Sequence, residues 1–574
     1  MSNTAQCSRA QRARSVNNAQ EDGVCSLRTT AVFNRSRSTL RSLAAHFALG
    51  ILVVTALGGC AGLPGADFPK APTVALAHPE ETRLGGKFAR AAREHGGNSG
   101  FRIITVGVDG FLTRVQMIDA AERTLDLQYY IFRGDETGRL LTDALLRAAD
   151  RGVRVRVLVD DGGTIDGDEQ IIAVDPHPAV EIRVFNPFAY RGHGNLQRAI
   201  EFLFNSSRLD YRMHNKLLVV DNSLALIGGR NIGNQYFQLD PESQLADDDV
   251  FAAGPIVSQL SATFDEYWNS GFAIPAAALG SRTPAATALA DHRERERAGP
   301  RKELQTLQTD GIDYVKRIAT GEPYAGMIAG RLPLVWAHAK VVCDSPDKKR
   351  VENGASRGRL MLRPVADAAR EVQSELLMVT PYFIPADEEL QILKDLRQQK
   401  VRVRILTNSL ESAPELSAHS GYVPYREPLL RDGVELYEVR SLLGNARGSG
   451  QTAAISRYGT YALHAKLFVF DRQRLFVGSM NFDQRSKYLN TEVGLIIDSP
   501  ELAAQTAARF EGMAERGNSY SVALRADRTG APPQMVWQTQ ENGTPMEYTQ
   551  EPARREWDRV AVQLFRLLPL AGEL

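Results

Sequence analysis

The chain has 574 residues, 43% of them hydrophobic, enough to bury two domain cores. Its 68 basic and 68 acidic residues cancel; residues 1–59 hold 7 and 2 of them, so from residue 60 onward 61 and 66 remain, a net of −5. That balance argues against a nucleic-acid partner, which normally requires clustered excess Lys and Arg.

In chain order, the first segment reads as a targeting sequence. Residues 1–43 carry seven Arg against Glu21 and Asp22, an apolar run follows over Ala44–Ala56, and then comes Leu57-Gly58-Gly59-Cys60. A basic region, a short apolar core and small residues before a cut site describe a secretory signal over 1–59. The apolar run is shorter than the ~20 residues of a spanning helix. The Cys after Leu-Gly-Gly resembles the lipobox of bacterial lipoproteins. That resemblance implies cleavage before Cys60, diacylation of its thiol, and a protein lipid-anchored to a bacterial membrane and facing the periplasm. Ala61 stands where an inner-membrane retention signal would usually place Asp, which favours the outer membrane. Cys7 and Cys25 leave with the signal, so Cys343 is the one remaining thiol and is expected to be buried. Residues 60–100 are expected to form a tether to the catalytic body.

Two similar α/β domains follow, at 101–275 and 331–520. In the first, Tyr129-Tyr130-Ile131-Phe132 precedes a helical spacing of Leu140, Leu141, Ala144, Leu145 and Ala148, and then the run Gly152–Val159. The second repeats this order with Pro381-Tyr382-Phe383-Ile384-Pro385, Leu390, Leu393 and Leu396, and Val401–Leu406. Continuous valine-rich runs belong to strands buried on both faces. The connector, 276–330, has Arg293–Arg297 as a charged centre, expected to be a solvated helix face. Trp336-Ala337-His338-Ala339-Lys340 with Asp344 imitates the motif described next, but its Lys-to-Asp gap is one residue short; a strand entering the second domain is expected. In the last segment, 521–574, Asn542-Gly543 between two strand-like runs signals a hairpin. The closing helix carries Trp557, Val560, Val562, Leu564, Phe565, Leu567 and Leu568. It is expected to pack on the core, with membrane contact as the alternative.

The chemistry lies in a duplicated pattern, His-x-Lys-x₄-Asp continued into Gly-x₂-Asn. The first copy is His214, Lys216, Asp221, Gly228 and Asn231; the second is His464, Lys466, Asp471, Gly478 and Asn481. Residues i and i+2 of a strand share a face, so each His points the same way as its Lys. Asp221 lies seven positions on, up to ~23 Å along a strand. Asp221 and Asp471 complete the catalytic motif, but their expected work is structural, accepting backbone amides at a turn. A hairpin return brings Asn231 and Asn481 back beside the His/Lys face as phosphate donors. Joined face to face, the halves place two His, two Lys and two Asn around one phosphate. One His attacks phosphorus; the other protonates the leaving alkoxide, then deprotonates the incoming alcohol or water. Lys and Asn offset charge on the non-bridging oxygens. No Asp/Glu/His cluster has metal-ligand spacing, so neither a metal nor another cofactor is expected. Each neutral His needs an acceptor on its other ring nitrogen. Glu492, at a strand start in the second half, is one candidate, and Asp249 is its expected counterpart in the first. Glu242 fits the 28-residue offset from the His better, but Pro241-Glu242 reads as loop. Tyr382 and Phe383 are candidates for the pocket mouth, and His419, Tyr422 and Arg426 for head-group contacts.

With these motifs the chain is identified as resembling the phospholipase D superfamily. Gly478-Ser479-Met480-Asn481-Phe482-Asp483-Gln484-Arg485-Ser486, with Asn490-Thr491-Glu492, resembles the second motif of bacterial cardiolipin synthases, and Gly229–Phe237 resembles the first motif of their C-type branch. The resemblance implies phosphatidyl transfer on a membrane glycerophospholipid through phosphohistidine, best matched to cardiolipin synthesis from phosphatidylglycerol. Hydrolytic phospholipase D, another phosphodiesterase or a non-catalytic lipid-binding scaffold are the alternatives.

Overall fold

The computed structural model describes residues 69–568 apart from 164–172, 191–194, 241, 280–287, 443–459, 527–531 and most of 298–332. The expected signal over 1–59 and Cys60 lie outside the described residues. Leu63–Leu574 forms one compact unit.

The first half contributes α1 (Arg83–Glu94), β1 (Ser99–Ile104), α2 (Gly107–Asp119), β2 (Thr124–Tyr129), α3 (Glu136–Asp150), β3 (Arg154–Asp160), β4 (Val180–Phe185), α4 (Asn195–Leu209), β5 (Leu217–Val220), β6 (Leu224–Gly228), β7 (Ser243–Ala246), β8 (Asp249–Ala253), α5 (Ile256–Trp268) and β9 (Ala273–Pro275). The second contributes β10 (Val335–Cys343), α6 (Leu362–Arg370), β11 (Glu375–Val379), α7 (Asp387–Gln398), β12 (Arg402–Asn408), α8 (Leu416–Tyr422), β13 (Glu435–Val439), β14 (Thr460–Leu463), β15 (Leu467–Phe470), β16 (Arg474–Gly478), β17 (Val493–Asp498), α9 (Pro500–Ala514), β18 (Ser519–Arg525), β19 (Gln534–Glu541), β20 (Thr544–Tyr548) and α10 (Glu556–Phe565).

In space the first half runs β9-β4-β3-β2-β5-β6-β8-β1 and the second β18-β13-β12-β11-β15-β16-β17-β10, the same order twice. The two sheets join edge to edge where β1 pairs antiparallel with β10, Gly100 opposite Trp336, giving one 18-stranded sheet. The parallel pairs β2–β3 and β11–β12 are each linked by one helix, α3 or α7. α3 starts on Asp135, whose carboxylate accepts the Gly138 N–H, and buries Leu141, Ala144, Leu145 and Ala148.

Strands buried on both faces explain the unbroken apolar runs. In β5, Leu218 and Val220 face the first half's own helices, while Leu217 and Val219 enter a middle core. That core also takes Leu467, Val469 and Leu475 of the second half, with Phe264 of α5 and Phe510 of α9. Cys343 is buried there as a free thiol.

The two motif hairpins, β5–β6 and β15–β16, turn through residues in the left-handed region: Asp221 and Asn222 at φ 49 and 47, Asp471 and Arg472 at 53 and 54. The Asp221 carboxylate accepts the backbone N–H groups of Glu122, Arg123 and Thr124, each at 2.8 Å. Asp471 accepts those of Gln373, Ser374 and Glu375 at 2.7–3.0 Å. Each motif Asp pins its hairpin to the loop before the neighbouring strand, β2 or β11, at the turn seven positions on from its histidine.

Two expectations are corrected. Residues 69–100 are no bare tether. Lys70 Nζ donates to the Ser270 carbonyl at 2.5 Å, α1 buries Leu84, Phe88 and Ala92, and Ser99-Gly100 already belong to β1. The periodic apolar residues of α1 give it a face to bury, which its Ala and Gly content hides. The closing helix does not pack its apolar stripe on the core: of α10, Val562 is buried, while Trp557 is 63% exposed. Among the described residues no helix is long and apolar enough to cross a membrane. The imitation motif at 336–340 is strand β10, and His338 lies exposed on it against Asp498.

Candidate active site

The site is made by crossing. Just before β5, the His214 N–H donates to the Thr491 carbonyl at 2.9 Å, and the Thr491 N–H returns to Arg212 at 2.9 Å. This short parallel bridge sets Glu492 beside the ring, with His214 Nδ1 3.0 Å from both carboxylate oxygens. The other crossing is longer. β14 pairs in parallel with β7, Leu463 opposite Ala246, and the His464 N–H donates to the Ala246 carbonyl at 2.7 Å. The next residue, Asp247, brings Oδ2 to 2.5 Å from His464 Nδ1. Each histidine takes its carboxylate from the opposite half.

Burial and positive neighbours fix the protonation states. Burial, with the charges of Lys216, Lys466 and Arg485, holds His214 well below its ordinary pKa. Burial and Lys466 bring His464 down to about 3. Both rings are therefore neutral. With the carboxylate ionised, Nδ1 carries the hydrogen and Nε2 keeps a lone pair for phosphorus or for a proton. Burial also lowers Lys216 well below the ordinary lysine value and Lys466 to about 8. Lys216 Nζ donates to the carbonyl of His214 at 2.6 Å, and Lys466 Nζ lies 3.2 Å from His464 Nε2.

The two carboxylates are not equivalent. Burial pushes Glu492 up to about 7 against the pull of Lys216. Ser479 and Ser486 donate to it through Oγ at 2.5 and 3.0 Å, and its backbone N–H is held by Asp344, which is paired to Lys348 at 2.9 Å. Burial pushes Asp247 up as well, but Lys466 and the bond to His464 outweigh it and leave Asp247 below its ordinary value. The difference is set at one motif position. A Cβ on Gly229 would lie 2.2 Å from Asp247 Oδ1, so glycine there makes room for the carboxylate, whereas its counterpart Ser479 supplies a hydroxyl.

Two tyrosines line the histidines, Tyr130 with its ring centroid 5.0 Å from that of His214 and Tyr236 at 5.3 Å from His464. Asn231, expected as a phosphate donor, instead donates to the Tyr236 hydroxyl at 2.9 Å and accepts from the Ile131 N–H, so it positions Tyr236. Asn481 has a buried Oδ1 without a hydrogen-bond partner. Among the described residues no group of three or more His, Cys, Asp or Glu could hold a metal ion.

Asp249 does not orient a histidine. Its carboxylate is buried between Arg114, at 2.8 Å, and Arg230, at 3.0 Å. The sheet register gives the reason: β6 places Gly228 opposite Asp249, and β16 places Gly478 opposite Gly494. The counterpart of Glu492 is thus two residues before Asp249, at Asp247. The pairing is also across halves, which no offset within one half can show. Tyr382, Phe383 and His419 do meet, in one crevice with Asn408 and Glu415. Phe383 forms its fully buried floor, stacked on Phe482 at 5.1 Å, so it is not at the mouth. His419 and Arg426 are not free for a head group: His419 Nε2 lies 2.7 Å from Glu551, and Arg426 pairs with Glu438 at 2.8 Å as well as with Glu551.

Residues 115–268 and 365–514 match the family described as "Cardiolipin synthase, PLD-like domain". Each matched segment holds one motif, the first with His214, the second with His464. The chain is 35% identical to cardiolipin synthase C of Escherichia coli K12 over 492 residues, covering 85% of this chain and 99% of that protein. The chain belongs to the PLD-like cardiolipin synthase family. It is also 26% identical to the major cardiolipin synthase ClsA of Bacillus subtilis, over 71% of this chain and 67% of that one. Among solved structures it is similar to the phosphatidylserine synthase of Haemophilus influenzae, with a TM-score of 0.47, 14% identity, and coverage of 76% and 92%.

Two predictions follow for this cardiolipin synthase family member. Asp247→Asn leaves His464 without its carboxylate and should lower kcat on the order of 10³-fold or more with little change in Tm. Asp249→Asn breaks a buried ion pair and should instead lower stability by roughly 3–5 kcal/mol with kcat per folded molecule retained. Thermal melts and turnover numbers of the two variants separate the roles; the opposite assignment of effects would restore Asp249. The second concerns pH. Glu492 must be ionised to hold the His214 Nδ1–H, and Lys466 must keep its proton to offset phosphate charge. kcat/KM should rise with pH through about 7 and fall through about 8. Ser479→Ala removes a hydrogen bond to the ionised form and should move the acid limb upward; a profile flat across this range contradicts the assignment.

Proposed function

We propose that this chain transfers a phosphatidyl group from one phosphatidylglycerol to the head-group hydroxyl of another, giving cardiolipin and glycerol through a phosphohistidine. The observation that carries the reading is the pair of neutral histidines, each held by a carboxylate on Nδ1, in one buried site. Nε2 of one histidine attacks phosphorus, and the P–O bond to glycerol breaks. The second histidine, which takes up a proton from solvent on Nε2 when the anionic phosphodiester binds beside it, gives that proton to the departing alkoxide. The same ring then takes the proton from the incoming hydroxyl, whose oxygen displaces the first histidine from phosphorus. Lys216, Lys466 and Asn481 offset charge on the non-bridging oxygens. His214 and His464 are only 6% and 7% exposed, so the intermediate forms in a largely water-excluded site where the Lys and Asn groups act strongly.

The test is purified protein with phosphatidylglycerol in neutral detergent micelles containing excess EDTA. Cardiolipin and glycerol should form in equal amounts, and His214→Ala or His464→Ala should each abolish turnover. Phosphatidate as the sole lipid product would establish a hydrolase instead. Loss of activity in EDTA, restored by a divalent ion, would defeat the charge-offset role of Lys and Asn.

Residues 1–59 support a lipoprotein signal, with Cys60 diacylated, the enzyme anchored to the bacterial membrane on the periplasmic side, and the outer membrane favoured by Ala61. Metabolic labelling with a palmitate analogue should mark the wild type and miss Cys60→Ser. An unlabelled wild type still carrying residues 1–59 refutes this placement and leaves the chemistry intact.

A further inference from the structure

Two helices carry their apolar residues outward. α4 turns its charges toward the protein: Arg198 is buried and pairs with Asp161 at 3.6 Å, and Glu201 accepts the N–H groups of Ala189 and Tyr190 at 2.7 and 2.9 Å while pairing with Arg208. Its outer side exposes Leu196, Leu203 and Phe204 at 71%, 74% and 77%. α10 repeats the pattern. Trp557, Val560 and Leu564 stand at i, i+3 and i+7, followed by Leu567 and Leu568, with exposures from 46% to 81%. Scattered apolar residues on a surface need no explanation, but two helical stripes imply an apolar partner.

Both helices are tied to residues close to the site. α4 ends at Leu209, and the next residue, Asp210, holds Arg485 at 2.6 Å, whose charge bears on His214 and Tyr130. α10 is tied through Arg554, which donates to the Ala413 carbonyl at 3.2 Å, and through Glu551 on His419. Ala413 and His419 line the crevice of Tyr382, and Glu415 of the same crevice lies close enough to Arg485 to feel its charge. Both helices are thus linked to the crevice of Tyr382, α10 directly and α4 through Arg485.

Charge selects the partner. Residues 554–568 hold Arg554, Arg555, Arg559 and Arg566 against Glu556 and Asp558, a net of +2 on a chain that is acidic from residue 60 onward. An amphipathic helix with Trp and Leu on one side and Arg beside them suits an anionic lipid surface.

We propose that α4 and α10 together form the face on which the catalytic body rests on an anionic phospholipid bilayer, with the site opening toward the membrane. This deepens the transfer reading, since a lipid substrate could then reach the histidines without crossing water. The test uses the compact unit from Leu63 onward, free of the signal and Cys60, with vesicles of equal parts phosphatidylcholine and phosphatidylglycerol. The wild type should float with these vesicles and be released by salt. Leu203→Glu with Phe204→Glu, or Trp557→Glu with Leu564→Glu, should each reduce the bound fraction about fivefold or more. All four residues are exposed, and turnover of a short-chain phosphatidylglycerol below its micelle concentration should be unchanged. Variants that bind like the wild type overturn the proposal. So does equal, salt-insensitive binding to pure phosphatidylcholine. A wild-type dimer that becomes monomeric in the variants, measured by sedimentation without vesicles, assigns the face to a second copy and also overturns it. Vesicle binding lost in the variants, with no short-chain turnover in the wild type, upholds this face and sinks the transfer reading.

Discussion

The structure turns on two parallel crossings between the halves, Met213 beside Thr491 and β7 beside β14. Each brings a carboxylate from one half onto the histidine of the other, and each is anchored by a backbone bond from the histidine itself. Nothing else in the site works unless these crossings hold. The carboxylate fixes which ring nitrogen carries hydrogen, the buried lysines depend on it for charge balance, and the tyrosines pack against the rings it has oriented. The large shared core and the β1–β10 junction keep the halves in the register that the crossings require.

The resulting pair is symmetric in layout and asymmetric in chemistry. Glu492 receives two serine hydroxyls and rests on a backbone amide held by Asp344; Asp247 sits shorter and closer, beside Lys466. The difference places one carboxylate near neutrality and the other firmly ionised. The two copies of one repeat thus hold their histidines through carboxylates of different basicity.

Much of this was legible in the sequence, and the reasons differ by element. The motif repeat, the buried valine runs and the hairpin at Asn542-Gly543 are local patterns, so period and turn chemistry suffice to read them. The structural work of Asp221 and Asp471 followed from distance along a strand and from turn chemistry. Asp247 was missed because its identity depends on strand register across a bulky Asp-Asp-Asp run, and its partner lies 217 residues away. His419 and Arg426 looked like head-group ligands because Glu551, which neutralises them, comes from a distant segment. The stripe of α10 carries the same pattern whether it faces a core or leaves the protein.

The exchange of carboxylates also ties the two copies together in heredity. A duplicated gene usually lets one copy drift while the other keeps the function. Here a change at Glu492 damages the histidine of the first half, and a change at Asp247 damages that of the second. Neither copy can decay privately. A half set free by a break in the connector would carry a histidine and a carboxylate that do not match each other, and would recover a complete pair only by facing another half.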